Sequence, residues 1–498
     1  MKKTKRQERN IQDSELMIIC KKFFDEELDK PIDLAYERND TGSGQLFADC
    51  FKDYFRFCSE TNSWWVFDGQ RWREDRRELD TAAAAKVLSQ IWLIKALEIP
   101  DRRIQENYYK YVSKFGYIRQ RRNMIEDART VHYIHADIFD SDPNLFNCMN
   151  GTLNLATGEF SSHYSGDYLT KISNVVYDPT AKSPDFEKFL MEMTQNDSEK
   201  AEYIQKLTGY FLTGSVEEEE GYILFGYTTR NGKGTLVECI SGILGDYAVN
   251  VLPETLQEKS KDSSRTSSDV LRLKGARLAF INEPSKNFKL DVANFKNLTG
   301  GDRITARGLY QAEQEFDPQF KLLMITNHLP YVNDDTLFSS DRINVIECNR
   351  HFSAKERDKG LKKRLKEPEN LSGILNWAIE GLKLYQQEGI EPPECVRNAT
   401  AEYRRKSDKV QCFIEEELEK GSGNILAADV YDRYRIWAER TGVYPEGKQN
   451  FFADLTTKGM LAKTGTVRGR TVHNVIRGWD FKFKSVPPGQ NVFRKEKS

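Results

Sequence analysis

The stretch Gly221–Thr235, GYILFGYTTRNGKGT, decides the fold. Its apolar run from Tyr222 to Phe225 predicts a short strand, and a helical pattern resumes near Thr235 after a turn-rich loop. Asn231, Gly232 and Lys233 close that loop. A strand–loop–helix unit of this kind points backbone N–H groups and a helix N-terminus at an anion, and its lysine reaches the β- and γ-phosphates of a nucleotide. The expected phosphate cradle is Gly226, Thr229, Arg230, Asn231, Gly232, Lys233, Gly234 and Thr235, with Lys233 read as an exposed loop lysine. Two positions depart from G-x-x-x-x-G-K-[ST]. Gly226 stands one residue too far from Gly232, and Gly234 occupies the place of the magnesium-binding hydroxyl, which leaves Thr235 to supply it. The alternative, a glycine turn beside a solvated lysine, is the weaker reading.

At 498 residues the chain is too long for one hydrophobic core, so two to four domains are expected. A hydrophobic content of 39% and a charged content of 30% describe an ordinary globular protein. No apolar run approaches the length of a membrane span, and the basic start MKKTKRQERN is followed by no apolar segment of a secretory signal. Eight cysteines are scattered without a C-x-x-C pair, which points to reduced thiols in a cytoplasmic compartment and away from a zinc ribbon. The net charge is −2, so any nucleic-acid contact has to come from local patches.

Around the central stretch the sequence divides as follows. Residues 1–30 are a charged extension. Asn39 to Gly44 (NDTGSG) reads as a turn before a helix, and Ser63 to Trp72 reads as a hairpin turning at Asp68-Gly69, with its aromatics in a core. Residues 80–130 read as helical and include a basic and aromatic stretch from Tyr108 to Arg122, whose bland reading is a solvated face and whose minority reading is a nucleic-acid surface. The acidic run Glu217 to Glu220 reads as a separator before the central strand. From about Asp408 the order is helix, helix, helix and a two-stranded ribbon, the order of a winged helix. Its turn, Arg468-Gly469-Arg470, forms a basic wing suited to duplex phosphates.

Three further apolar runs end in polar residues. Leu278 to Ile281 leads into Asn282 and Glu283, and a carboxylate at the C-terminal edge of a buried parallel strand orients the water that attacks a γ-phosphate, or holds Mg²⁺. Leu322 to Thr326 ends in Asn327, whose amide reaches the same phosphate. Ile343 to Ile346 is preceded by Arg342, placed to serve as an arginine finger in a neighbouring subunit's site.

Taken together, GYTTRNGKGT, INEP, KNLTGGDRITAR, ITNHLP and DRINVI resemble, in that order, the A, B, B′ and C motifs and the finger of the superfamily 3 helicases. The likeness is to the phage and plasmid primase–helicase family that includes the poxvirus D5-like proteins. Upstream, NGTLNLATGEF and DYLTKISNVVYDPTA look like the domain that precedes the ATPase in that family. The resemblance covers roughly residues 35 to 480.

The resemblance implies an α/β protein with an AAA+-like P-loop ATPase core over residues 185–355. A mixed α+β domain (31–184) would precede it, and a helical segment (356–404) and a winged helix (405–498) would follow. It implies ATP and Mg²⁺ as cofactors, with Lys233 on the phosphates, Glu283 as the acidic residue, Asn327 as sensor and Arg342 as finger. Lys296, Arg303 and Arg307 would touch single-stranded DNA in a central channel, and Thr235 with Glu283 would hold the metal. Asp341 stands where the family often has a first finger arginine, and Asn282 where it often has a second acid. The implied activity is a hexameric helicase moving 3′ to 5′ in the replication of a phage, plasmid or mobile element, in the cytoplasm and without membrane contact. Host or element replication proteins would be further partners. Two alternatives remain at this point, a bifunctional primase–helicase and a non-translocating origin-binding initiator.

Overall fold

The computed structural model describes residues 11–258, 268–286, 288–307, 313–332, 334, 336–442, 444–467 and 470–482. Its centre is a five-stranded parallel sheet. The strands are β1 (Gly221–Phe225), β2 (Ala248–Val251), β3 (Leu278–Asn282), β4 (Lys321–Thr326) and β5 (Ile343–Glu347), in the spatial order β5-β1-β4-β3-β2. All residues of β1 and β4 are buried, as expected of parallel strands covered on both faces. Alternate side chains face opposite layers. Tyr222 and Leu224 join helix α1 (Lys233–Leu244) and the helices Pro184–Met193, Ser198–Leu212 and Pro368–Glu388 on one face. Ile223 and Phe225 join Phe295, Leu298 and Tyr403 on the other.

Register fixes what emerges at the sheet's edge. Phe225, the last residue of β1, pairs with Thr326, the last of β4, and Asn282 of β3 pairs with Ile325. The residues that follow, Gly226, Asn327 and Glu283, therefore leave the sheet at one edge. The order also contains a switch point. From β1 the chain crosses to β2 at the far edge, returns through β3 to β4, then passes over β1 to β5. Ligands of open parallel sheets bind in the crevice at such a point.

Before the core, the hairpin forms as the sequence predicts, with strands Ser63–Phe67 and Trp72–Glu74, and its Trp64 and Trp72 are buried. The NDTGSG segment differs from the expected turn: it forms the first turns of a helix, Asp40–Cys50, capped by the Asn39 side chain on the Gly42 N–H at 2.8 Å. Its small residues admit a second helix, since a Cβ on Gly44 would lie 2.8 Å from Asp127 Cβ. The apolar cluster under β1 begins at Phe146 and runs to Val396, so residues on both sides of position 185 share one core. Two buried cations close helix Ser198–Leu212. Lys321 Nζ donates to the Ser215 carbonyl at 3.1 Å, and Arg277 donates to the carbonyls of Leu212 and Leu145.

After the core, helix Lys409–Glu417 leads through strand Leu418–Leu426 to helices Ala427–Thr441 and Lys448–Thr457, then to strands Leu461–Val467 and Arg470–Phe481. The strand 418–426 was not legible in the sequence. Its EKGSGN reads as a loop, yet the glycines serve a bulge against Asp480 in the three-stranded sheet. Among the described residues no helix is long and apolar enough to cross a membrane.

The acidic run is not a mere separator. Glu218 accepts from Tyr385 Oη at 2.7 Å, Glu219 pairs with Arg342, and Glu220 accepts from Asn344 Nδ2 at 2.8 Å. Burial, reinforced by the charges of Glu218 and Asp341, raises the Glu220 carboxyl from 4.5 to about 7. The folded state then keeps a proton that the unfolded chain has released. The stabilisation is complete below about pH 4.5 and is lost as the pH rises through about 7. Glu220→Gln should remove that fall, raising stability near pH 8 by on the order of 2 kcal/mol. Thermal melts across this range check it, and parallel curves for the two proteins would contradict it.

Candidate functional site

The loop from Gly226 to Gly232 is shaped by close contacts. A Cβ on Gly226 would lie 2.6 Å from the Cys348 carbonyl, and one on Gly232 would lie 2.7 Å from Met193 Cγ. Gly232 also has φ +88° at the start of α1, a conformation that glycine adopts without strain. Asn231 is buried and donates from Nδ2 to the Thr228 carbonyl at 2.7 Å. The segment after β5 braces the loop from outside. His351 Nδ1 lies 2.9 Å from the Thr229 carbonyl, and the Phe352 N–H donates to the Arg230 carbonyl at 2.9 Å. No sequence pattern marks Met193, His351 or Phe352 for this task, because their role depends on how distant segments meet.

Lys233 is 5% exposed, so the reading of it as an exposed loop lysine is corrected. Met193 and Phe189 lie against Gly232 beneath the loop, and the Cys348 carbonyl lies against Gly226 beside it. Its Nζ donates to Asn327 Oδ1 at 2.9 Å and to the Gly226 carbonyl at 3.3 Å. Burial pulls the Lys233 ammonium below its ordinary value, and the charge of Glu283 opposes that shift. The sheet edge thus brings Lys233, Asn327 and Glu283 together. Glu283 is exposed, has φ +45° and is fixed by its N–H on the Ile325 carbonyl at 2.8 Å.

At the start of α1, the N–H groups of Thr235 and Leu236 donate to the Gly232 carbonyl. Those of Lys233 and Gly234 find no acceptor among the described residues and point the helix dipole into the crevice. A Cβ on Gly234 would meet open space, so packing does not impose the glycine there. Thr235, half-buried in the first turn, is the next residue and carries a hydroxyl. Among the described residues no group of three His, Cys, Asp or Glu side chains gathers to hold a metal.

Arg342 lies at the other end of the sheet. It precedes Ile343, which pairs with Gly221, the first residue of β1, and its carbonyl accepts from the Gly221 N–H. Lys233 Nζ contacts Gly226, which follows the last residue of β1, so the two sites are separated by about the strand's length, on the order of 15 Å. The Arg342 guanidinium pairs with Glu219 and donates to the Lys296 carbonyl at 3.4 Å. Lys296, Gly300, Asp302 and Ser340 line the same cleft. Lys296 Nζ donates to Thr336 Oγ1.

The hairpin Ile304–Arg307 and Glu313–Phe316 stands beside this region, with Arg307 opposite Glu313. Arg303 at its base is exposed and donates to both carboxylate oxygens of Asp317, at 3.1 and 3.3 Å. In the last domain Arg470 is exposed at the start of its strand, and Arg468 lies outside the described residues.

Family comparisons bear on this arrangement. A model described as D5 N terminal like matches residues 44–195, and one described as Family of unknown function (DUF5906) matches residues 224–342. Over these residues the chain is similar to the D5-like primase–helicases. One relative in large DNA viruses is "Putative helicase L207/L206" of Acanthamoeba polyphaga mimivirus. It is 27% identical over 451 residues, covering 81% of this chain and 46% of the relative. Another is "Putative primase C962R" of African swine fever virus (isolate Tick/Malawi/Lil 20-1/1983), 21% identical over 66% of this chain and 35% of the relative. The chain therefore spans about half or less of the length of these relatives. Among solved structures, the apo NrS-1 C terminal region shares the fold, with a TM-score of 0.50 at 13% identity over 89% of this chain and 100% of that one.

Proposed function

We propose that the chain is an ATP-dependent DNA helicase that acts in the replication of a virus, phage, plasmid or related element, as a ring, most simply a hexamer. The observation that carries this reading is the contact of the buried Lys233 ammonium with Asn327, 2.9 Å apart at the switch point of the parallel sheet with Glu283 alongside. That contact supports reading Lys233 as a P-loop lysine beside a sensor amide and a carboxylate. An ATP γ-phosphate bound there would replace Asn327 as a partner of Lys233 and take hydrogen bonds from the Lys233 and Gly234 N–H groups. Glu283 would orient the attacking water and accept its proton.

The oxygen donors present suit Mg²⁺, which takes one or two protein oxygens and completes its shell with phosphate and water. Thr235 and Glu283 would hold it, and it would neutralise charge on the β- and γ-phosphates. Lys296, Arg303 and Arg307 are assigned to single-stranded DNA. The order helix, strand, helix, helix, strand, strand over 409–481 supports a winged helix in which Arg470, with Arg468, contacts duplex phosphate.

The test has two parts. Glu283→Gln should bind ATP with unchanged affinity but hydrolyse it about 10²- to 10⁴-fold more slowly, because the amide accepts no proton. Native turnover in that variant would move the water-orienting role elsewhere. Strand displacement on a forked substrate, dependent on ATP and Mg²⁺, separates the helicase from an initiator that hydrolyses ATP without moving.

A further inference from the structure

The basic and aromatic stretch on the N-terminal helices takes no part in the nucleotide site. Between Arg102 and Arg122 the sequence holds seven cations and a single carboxylate, Glu106, in a chain whose net charge is −2. Two of the cations are internally occupied. Arg102 pairs with Glu106, and Arg121 turns back to donate to the carbonyls of Phe115 at 2.7 Å and Gly116 at 2.9 Å. Those two bonds fix the corner between helices Arg102–Val112 and Ile118–Ala128. Arg103, Lys110, Lys114, Arg119 and Arg122 are exposed and form no ion pair with any described residue.

Lys114 and Arg119 lie at the corner and Arg122 one turn beyond it, while Arg103 and Lys110 lie along the helix that leads to it. The Tyr117 N–H donates to the Lys114 carbonyl at 3.1 Å, which ties the two helices' charges together. Tyr117 is 74% exposed and Ile118 60% exposed. Met124, Ile125 and Ala128 bury the inward stripe of their helix, whereas Ile118, Arg119 and Arg122 are exposed, with Arg119 and Arg122 three residues apart as neighbours on its surface. Arg103 and Lys110, two turns apart, share a stripe of the preceding helix. A solvent-exposed aromatic ring set among unpaired cations matches the chemistry of single strands, in which phosphates take the cations and an unstacked base takes the ring. Duplex offers the phosphates without the base face, and an acidic peptide offers the charge without a flat π-face to stack.

We propose that this corner, centred on Tyr117, Arg119 and Arg122, binds single-stranded DNA as a second site outside the ATPase core. The single-strand chemistry stands on these residues alone, whereas the choice of DNA over RNA rests on the helicase reading. Binding here needs no nucleotide.

The test is fluorescence anisotropy of a labelled oligothymidylate with the full chain, without nucleotide, over a series of salt concentrations. Arg119→Ser combined with Arg122→Ser should weaken binding at low salt by about tenfold and lower the slope of log K against log salt by about 1.4, at about 0.7 for each phosphate that a removed arginine would have neutralised. Tyr117→Ala should weaken it by about fivefold or more at an unchanged slope. Both variants should keep the basal ATP hydrolysis of the parent chain. Affinity and slope unchanged in the double variant would overturn the site. Equal displacement of the probe by a duplex or by polyglutamate, with Tyr117→Ala neutral, would also overturn it and mark a general polyanion or acidic-protein surface. Because the assay contains no nucleotide, its failure leaves the ATPase reading untouched, and loss of the ATPase reading leaves the anisotropy result standing.

Discussion

Lys233→Ala is expected to abolish ATP hydrolysis while the protein stays folded. The side chain is buried, so its ammonium is held against a desolvation cost by two hydrogen bonds, to Asn327 and to the Gly226 carbonyl. Truncation removes both the cost and the bonds, so the effect on stability should be small and the effect on chemistry large. No other cation among the described residues is within hydrogen-bond reach of Asn327, the residue proposed to meet a γ-phosphate. Turnover should fall by at least about 10³-fold, the scale on which a charged partner of a transferring phosphoryl group acts. Circular dichroism should show a native spectrum and a melting temperature within a few degrees. Near-native turnover in the folded variant would remove the phosphate assignment of the Gly226–Thr235 loop.

Arg342→Ala should be nearly inactive and still bind ATP. Arg342 sits at the opposite end of β1 from Lys233, tied to Glu219 and the Lys296 carbonyl, so it would not reach a nucleotide bound at Lys233 of the same chain. If it is a finger, it serves a neighbour. Arginine fingers contribute about three to five orders of magnitude in related phosphoryl transfers. A mixture of Arg342→Ala and Lys233→Ala should create some interfaces with both groups intact and recover part of the ATPase activity, only at concentrations where rings assemble. Continued inactivity of the mixture while subunit exchange is demonstrated would contradict the shared site. The pairing with Glu219 adds a requirement that the sequence did not reveal: the guanidinium has to leave that carboxylate to act on a neighbour's phosphate.

Much of the core was legible because buried parallel strands are written as near-continuous apolar runs. Tyr222 to Phe225, Leu278 to Ile281, Leu322 to Thr326 and Ile343 to Ile346 all became strands of one sheet, and Gly226, Glu283 and Asn327, which follow the first three strands, emerged at one edge. The hairpin at Asp68-Gly69 was legible for a similar local reason, since its turn chemistry is contained in four residues. What failed was set by distant contacts. The NDTGSG segment looks like a turn by composition but is helical because its small residues let helix Ile118–Ala128 approach. KGSG looks like a loop but is a bulged strand because Asp480 packs on it. Lys233 looked exposed because nothing local announces that Met193 and Phe189, some forty residues upstream, lie beneath its loop. The acidic run looked like a spacer, although each of Glu218, Glu219 and Glu220 has a partner more than a hundred residues away.

The central claim is that the crevice of Lys233, Asn327 and Glu283 hydrolyses ATP in the service of a DNA motor. Steady-state ATP hydrolysis by the purified chain with Mg²⁺, measured with and without single-stranded DNA, tests it most directly. Turnover that requires Mg²⁺, rises on adding the single strand and disappears with Lys233→Ala is the predicted result. A chain that binds single-stranded DNA but hydrolyses no ATP, with or without it, would contradict the claim.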